Sequence, residues 1–531
     1  MRILLFDGYI DEPASLGVRP FVHPLVRAAY GAAVDAGAEV VYHTVDQLRS
    51  GMSLPPADLC LALGGCSVPG RYLRSLPASA RELDLVSHRF PGYTVLGGPA
   101  AIDPALKGLG FDAFAAKDPA AWLYDLILTG EPGERWRDLD EWNRWMEAGA
   151  PVVRAHPDYP QPLVAEMETY RGCIRYRGGG CSFCAEPLKG EPLFREVEDI
   201  VSEARALMDQ GVKHLRMGAQ SCFVSYQFRE GPDPEAIDSL LSSMHDLGPD
   251  TLHLDNANPG VMADHPEEAG EILRSITRYC SPGNVLALGM ESADPRVIEA
   301  NNLNSVPEQV MEAIRMMNRV GRERGDNGMP VLLPGLNFLI GLDGESRRTL
   351  DLNLQFLREV REEGHLLRRI NIRKVIPIRR EFRGGVNQAQ FRRFKSRVRE
   401  EIDRPMLADV LPRGTVLRRI HTELRQGGNT FGRQIGTYPL LVGFNYHLPL
   451  ERFVDAKVVD WGFRSVTAVE YPLPVNGCPI SALTSIPGMG RKRATRIVMA
   501  RPLEGPEDLV AALDDRDAAR DILPYLGFGP G

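Results

Sequence analysis

Residues 168–187 read ETYRGCIRYRGGGCSFCAEP, and this stretch decides the fold. Cys173, Cys181 and Cys184 stand in a C-x7-C-x2-C arrangement directly after an apolar, strand-like run at 163–169. Three thiols on one loop predict a metal. A structural zinc site wants four ligands, so a lone trio predicts either zinc completed from elsewhere in the chain or an iron–sulfur cluster with one iron left open. An open coordination position lets a substrate or cosubstrate meet the metal directly. Gly178, Gly179 and Gly180 allow the loop backbone to close around a bulky centre.

Outward from this loop, apolar runs alternate with helix-like stretches. Residues 163–169, 213–217, 251–255, 285–289, 336–340 and 369–375 read as strands, and 196–210, 234–247, 266–278, 307–320 and 345–363 as helices. Six strand–helix units in series predict a parallel sheet curved into part of a barrel, with the chemistry at the carboxyl ends of its strands.

The cysteine loop and the strand ends after it resemble the radical S-adenosylmethionine (radical SAM) superfamily over roughly residues 163–376. The usual family spacing between the first two cysteines is three residues, and here it is seven; the ending, with Ser182 and Phe183 between Cys181 and Cys184, matches. Further similarities come in the family's order: LRMGAQ ending at Gln220, LHLDNANP with Asp255 and Asn256, LALGMESADPRVIEANNLN with Glu291 and Ser292, and LNFLIGLDGES with Gly341. The resemblance implies that Cys173, Cys181 and Cys184 hold a four-iron four-sulfur (4Fe-4S) cluster whose open iron chelates SAM. One electron then cleaves SAM to methionine and a 5'-deoxyadenosyl radical. It also implies that Phe183 packs near the adenine and that Gln220 meets the SAM amino group. Asn256, Glu291 and Ser292 would serve the sugar and methionine parts, and Gly341 would border the adenine.

The chain has 531 residues, 44% of them hydrophobic, a formal net charge of -8 and eight cysteines. That length predicts three or four domains with ample cores and excludes global disorder. The cysteines are too sparse for a disulfide scaffold, and no apolar run reaches a membrane span. A cytoplasmic protein without membrane association is expected. The acidic total hides a local excess: residues 361–425 hold 18 Lys and Arg against eight Asp and Glu.

The expected fold class is α/β, in six parts. Residues 1–130 form a doubly wound domain with strands at 2–7, 40–43, 59–63 and 94–96, and 131–162 a linker with one short helix. Residues 163–376 form a partial (β/α)6 barrel, 377–425 a basic helical connector, 426–475 a small β-barrel and 481–531 a helix-hairpin-helix. The first part resembles the cobalamin-binding α/β domain that precedes many radical SAM cores, with a GGP turn at Gly97, Gly98 and Pro99. The turn where that type carries Asp-x-His-x-x-Gly reads DGYIDEP here. The first part is also similar to the methylthiotransferase N-terminal domain, which supplies three cysteines to a second cluster; only Cys60 and Cys66 stand in this region.

The 426–475 stretch resembles the small RNA-binding (TRAM-like) barrel found after the core of tRNA methylthiotransferases. Arg433 and Arg464, interleaved with aromatics including Trp461 and Phe463, suit phosphate contact and base stacking. SALTSIPGMGRKRATRIVMAR, residues 481–501, resembles a helix-hairpin-helix in which Gly488, Gly490, Arg491, Lys492 and Arg493 meet a phosphate. The whole is similar to archaeal-type radical SAM proteins with a C-terminal helix-hairpin-helix. It implies a transferase with a 4Fe-4S cluster and SAM as cofactors, cobalamin as a candidate third, a reductase or other electron donor as partner, and tRNA or other RNA as substrate for methyl or methylthio transfer. Two alternatives stand beside it. One is a cobalamin-dependent methyltransferase acting on a protein or small molecule; the other is a non-catalytic nucleic-acid-binding iron–sulfur protein.

Overall fold

A computed structural model describes residues 1–10, 21–65 and 74–529. The first sheet is all parallel, in the spatial order Glu39–Thr44, Arg2–Asp7, Leu59–Leu63, Tyr93–Gly97, Ala113–Ala115. Its central strands are apolar runs buried on both faces, as a sheet covered by helices on each side demands. The strand order reverses between Arg2–Asp7 and Leu59–Leu63, and at such a switch point the carboxyl ends splay into a crevice. Cys60 is fully buried in that sheet, whereas Cys66 falls outside the described residues.

Two features tie this sheet to the rest. Phe21–Val22 pairs in parallel with the Val164–Met167 strand, adding an N-terminal strand to the edge of the following unit. The 131–162 stretch, expected as a linker, is packed core. Trp142 and Trp145 on the Leu139–Ala148 helix are 1% and 0% exposed and press on the Pro24–Asp35 helix. Contact is so close at Gly31 that an added Cβ would stand 1.9 Å from the Trp145 carbonyl oxygen. The tryptophans drive this, since burying such large apolar surfaces outweighs the freedom of a tether.

Strands form at all six positions of the expected series. Phe21–Val22, Val164–Met167, His214–Met217 and Thr251–Leu254 make one parallel sheet, and Asn284–Glu291, Leu332–Ile340 and Arg369–Lys374 another. A parallel bridge from Ala257 to Leu288 joins them into an open, curved half-barrel with helices outside. Five antiparallel and parallel strands, Val416–Gln426, Asn429–Arg433, Leu441–Phe444, Ser465–Glu470 and Phe453–Trp461, close into a small barrel. Its first strand starts at Val416, inside the stretch expected as helical connector, because Leu417 and Ile420 bury against the barrel core while Arg418 and Arg419 between them face solvent. Among the described residues, no helix is long and apolar enough to cross a membrane.

Asp7 closes the first strand, fully buried, and accepts hydrogen bonds from the Tyr42 hydroxyl at 2.7 Å and the Tyr9 N–H at 2.8 Å. Burial outweighs both and pushes its carboxyl up from the ordinary 3.8 to about 6. The native state therefore holds this proton more tightly than the unfolded chain, so stability falls as pH rises through that window, by about 3 kcal/mol in all. Asp7→Asn is expected to flatten that part of a thermal-denaturation pH series. An unchanged slope would assign the titration to another group.

Candidate cysteine and cofactor site

The cysteine loop runs between two short antiparallel strands, Tyr170–Arg171 and Leu193–Phe194. Gly179 and Gly180 take φ of 76° and 59°, the left-handed region where a side chain strains the backbone, and a Cβ on Gly180 would stand 2.4 Å from Pro187. Two outside residues hold this turn. Asn302 donates through Nδ2 to the Gly178 and Gly180 carbonyls at 3.0 and 2.9 Å, and Ser182 donates N–H and Oγ–H to Asn301 at 2.9 Å each. Arg175 brings Nη1 to 3.2 Å from the Cys181 sulfur.

Burial raises all three thiols, to about 11 for Cys181 and about 12 for Cys184, so near neutral pH they are protonated until a metal takes the place of the protons. They lie near enough to raise one another, yet among the described residues no three His, Cys, Asp or Glu side chains converge on a single ion. A multi-iron cluster suits such an open trio better than one zinc ion. Cys181 and Phe183 pack against Val297, Leu303 and Leu342, which gives the loop an apolar floor.

Opposite lie the carboxyl ends of three strands. Asn256, Glu291 and Gly341 take φ of 62°, 60° and 105°. Two non-glycine residues in left-handed backbone at neighbouring strand ends are a feature that folding alone does not favour. Glu291 is half-buried, and the loss of water around its carboxyl pushes it up to about 8 against the pull of Arg373, while its charge is felt at Cys181. Asn256 donates its side-chain amide to the Gly218 and Gln220 carbonyls at 3.4 and 3.2 Å.

Other expected residues sit differently. Gln220 is 2% exposed and its amide is engaged at both ends, accepting from the Thr169 N–H at 3.4 Å and donating to the Met217 carbonyl at 2.9 Å. These two bonds brace the ends of neighbouring strands. Ser292 is equally buried, and its hydroxyl accepts from the Asp294 N–H at 3.1 Å, shaping the turn into the Pro295–Ala300 helix. Arg433, expected on a nucleic-acid surface, is 0% exposed and forms a bidentate pair with Glu423 at 2.9 and 2.7 Å. It is a core ion pair of the small barrel, since its strand position faces inward. Arg464 packs against the half-barrel, with Nε 3.3 Å from Asp403. At the C-terminal hairpin Arg491 and Lys492 are exposed, while Arg493 donates to the Gly488 carbonyl at 2.9 Å and pairs with Asp515 at 2.8 Å.

Residues 376–387, read from sequence as the end of the core and the start of the basic connector, fold back over the site. Arg379 donates through Nη1 toward the carbonyls of Gly179, Cys181 and Cys184 at 2.9, 3.0 and 3.3 Å. Arg380 pairs with Asp343 at 3.0 Å, and Gly384 lies so close to Gly341 that a Cβ would stand 2.4 Å from its Cα. The two glycines after Arg383 are the one sequence signal of that close approach.

A metal-ready cysteine loop over the carboxyl ends of a parallel half-barrel defines the class of site, and the family match agrees with it. Residues 167–357 match the model of the radical SAM superfamily. An uncharacterized protein of Methanocaldococcus jannaschii is 40% identical over 507 residues, covering 88% of this chain and 92% of that one. The tRNA-2-methylthio-N(6)-dimethylallyladenosine synthase of Alcanivorax borkumensis is 22% identical over 326 residues, 61% of each chain. Among solved structures, the radical SAM methyltransferase TsrM of Kitasatospora setae aligns with a TM-score of 0.48 at 14% identity, over 70% of this chain and 72% of that one. The chain belongs to the radical SAM superfamily, whose enzymes use a 4Fe-4S cluster and SAM, and it is an enzyme.

Arg379→Gln removes the guanidinium that gathers three loop carbonyls. Iron per chain is expected to fall, and loss of iron to a chelator to quicken several-fold, with far-ultraviolet circular dichroism unchanged. Arg379→Lys, which keeps the charge but not the fork, should lie between. Iron retention equal to the parent in Arg379→Gln would show that the loop stands without this clasp.

Proposed function

We propose that this chain modifies RNA, tRNA foremost, by radical SAM methyl transfer. One observation carries the reading: a phosphate-ready hairpin lies beyond the small barrel on the same chain as the cysteine site. The Ile480–Thr484 and Arg491–Met499 helices flank a loop in which Gly488 takes φ of 79°, and neither Gly488 nor Gly490 has an atom within 4 Å of where its Cβ would stand. Gly490, Arg491 and Lys492 at the start of the second helix are exposed, and read as a helix-hairpin-helix this end offers backbone N–H groups and cations to a nucleic-acid phosphate. The kinship with an enzyme named for tRNA methylthiolation points the same way.

Cys173, Cys181 and Cys184 are the residues to hold the cluster, and Asn256, Glu291, Phe183 and Gly341 those to bind and orient SAM. When bound, the two groups supply one-electron chemistry, with the electron from an external reductase. The chain's own part is to fix the loop, exclude water with the 376–387 segment, and present SAM at the strand ends. Methyl transfer is favoured over methylthio transfer because Cys60 lies inside a sheet, its thiol raised by burial, and is unsuited to a second cluster.

The deciding experiment compares tRNA nucleosides by mass spectrometry from parent and deletion strains, with complementation by the parent gene and by Cys181→Ala. The expected result is one modified nucleoside, heavier by a methyl group, absent from the deletion and restored only by the parent. Identical nucleoside profiles, together with intact SAM cleavage by the purified enzyme, would overturn the RNA substrate while leaving the enzyme class in place.

A further inference from the structure

The last half-barrel strand, Arg369–Lys374, is an edge strand, and the small barrel leans on its amino end. A cavity opens there between that strand, the Arg404–Val410 helix and the turn joining Phe453–Trp461 to Ser465–Glu470. Arg368, Arg369, Arg464, Asp403, Pro439 and Phe463 line it. Its charges do not balance. Arg464 meets Asp403 and donates to the Ile370 carbonyl. Arg368 donates one hydrogen bond, to the Tyr438 carbonyl at 3.0 Å. Arg369 is 6% exposed and lies 3.5 Å over the Tyr438 ring, and its Nε is buried with no hydrogen-bond partner among the described residues. Among the described residues lining the cavity, Asp403 is the one carboxylate beside three guanidiniums, although buried cations are ordinarily paired. Burial, with Arg369 and Arg464 beside it, pushes Arg368 down to about 10.

We propose that this cavity is an anion site that takes a phosphate group of a polynucleotide. Guanidinium forks match phosphate oxygens in bidentate geometry, and Phe463, 46% exposed at the lip, offers a face for a base. The choice of a polymer rests on position. The cavity is at the amino end of a six-residue strand, whereas Glu291 feels Arg373 at its carboxyl end. At about 3.3 Å per residue the two ends are roughly 17 Å apart. A small substrate seated at the cysteine loop leaves the cavity empty, but a polynucleotide spans both and is anchored away from the reacting nucleotide. This site is separate from the Arg491 and Lys492 hairpin, and it rests on the RNA reading for the identity of its anion.

The test uses the full chain, Arg368→Gln and Phe463→Ala, with inorganic phosphate and tRNA as probes and circular dichroism as the check on folding. Phosphate is expected to raise the Tm of the parent and of Phe463→Ala, but not of Arg368→Gln. Arg368→Gln should bind tRNA about 5–10-fold more weakly, with the slope of log affinity on log salt shallower by about one phosphate contact. Phe463→Ala should weaken tRNA binding with the slope unchanged. If Arg368→Gln keeps the parent's affinity and slope, the cavity site is overturned while RNA binding stands. If phosphate stabilises in an Arg368-dependent way but tRNA does not bind, the polymer, and with it the RNA reading, is overturned and a free oxyanion site remains. Should Arg368→Gln misfold, the surface variant decides: tRNA affinity unaltered in Phe463→Ala and no phosphate stabilisation of the parent would end the proposal.

Discussion

Arg216 is buried in the half-barrel between two carboxylates, donating to Glu166 at 2.5 Å and pairing with Asp255. Each partner comes from a different strand or strand end, so the ion triplet holds the three first core strands in one arrangement. Parallel barrels usually fill their interior with layers of branched apolar side chains. Here charge occupies that place, and a buried charge is tolerated only while its partners stay in position. The Tyr438 hydroxyl, from the small barrel, also donates to Asp255, while its ring packs on Val285 and Ala287. Asp255 in turn accepts the Asn256 N–H at 2.8 Å, supporting the left-handed backbone of a residue at the cofactor face. Loss of any member strands the others, and the small barrel is therefore built into the half-barrel instead of hanging from it.

The same logic applies on the N-terminal side. Arg27 of the first domain's helix and Arg195 of the core share Glu203, all three 0% exposed, and Phe21–Val22 extends the core sheet. One hydrophobic core runs through both units. Domain motion is thereby restrained on both flanks of the cysteine loop, and whatever admits a substrate must act through surface segments such as residues 376–387.

Much of this was legible in the chain. The strands are apolar runs, the cysteine spacing marks the metal loop, and Asn256, Glu291 and Gly341 stand in turn at strand ends. The features that escaped depend on distant partners. An arginine on a solvated face and one inside an ion pair read alike, so Arg433 looked available, although Glu423 ten residues before it was the warning. Gln220 and Ser292 carry polar side chains at apt positions, yet backbone groups nearby consume them. Arg379 sits in a run of cations whose local spacing says nothing of the Cys181 carbonyl far before it. The tryptophans at 142 and 145 were readable: three residues apart on a helix, with Met146 beside them, they form one apolar face, the mark of packing and not of a linker.

The basic belt shows how much a charge count conceals. Much of the excess in residues 361–425 is spent internally: Arg397 on Glu401, Arg380 on Asp343, Arg418 on Asp455, Arg419 on Asp250 and Arg379 on loop carbonyls. Exposed Arg392 and Arg393 act through water, where a Debye length of about 8 Å at physiological salt screens them. The arginines at the half-barrel edge are different. Arg369 is buried and Arg368 and Arg464 half-buried, so part of their desolvation is already met by folding and water shields them less than it shields Arg392 and Arg393. On the proposed RNA reading, the number of cations would set how fast a polyanion is drawn to this surface, whereas the few that are buried would set whether it stays.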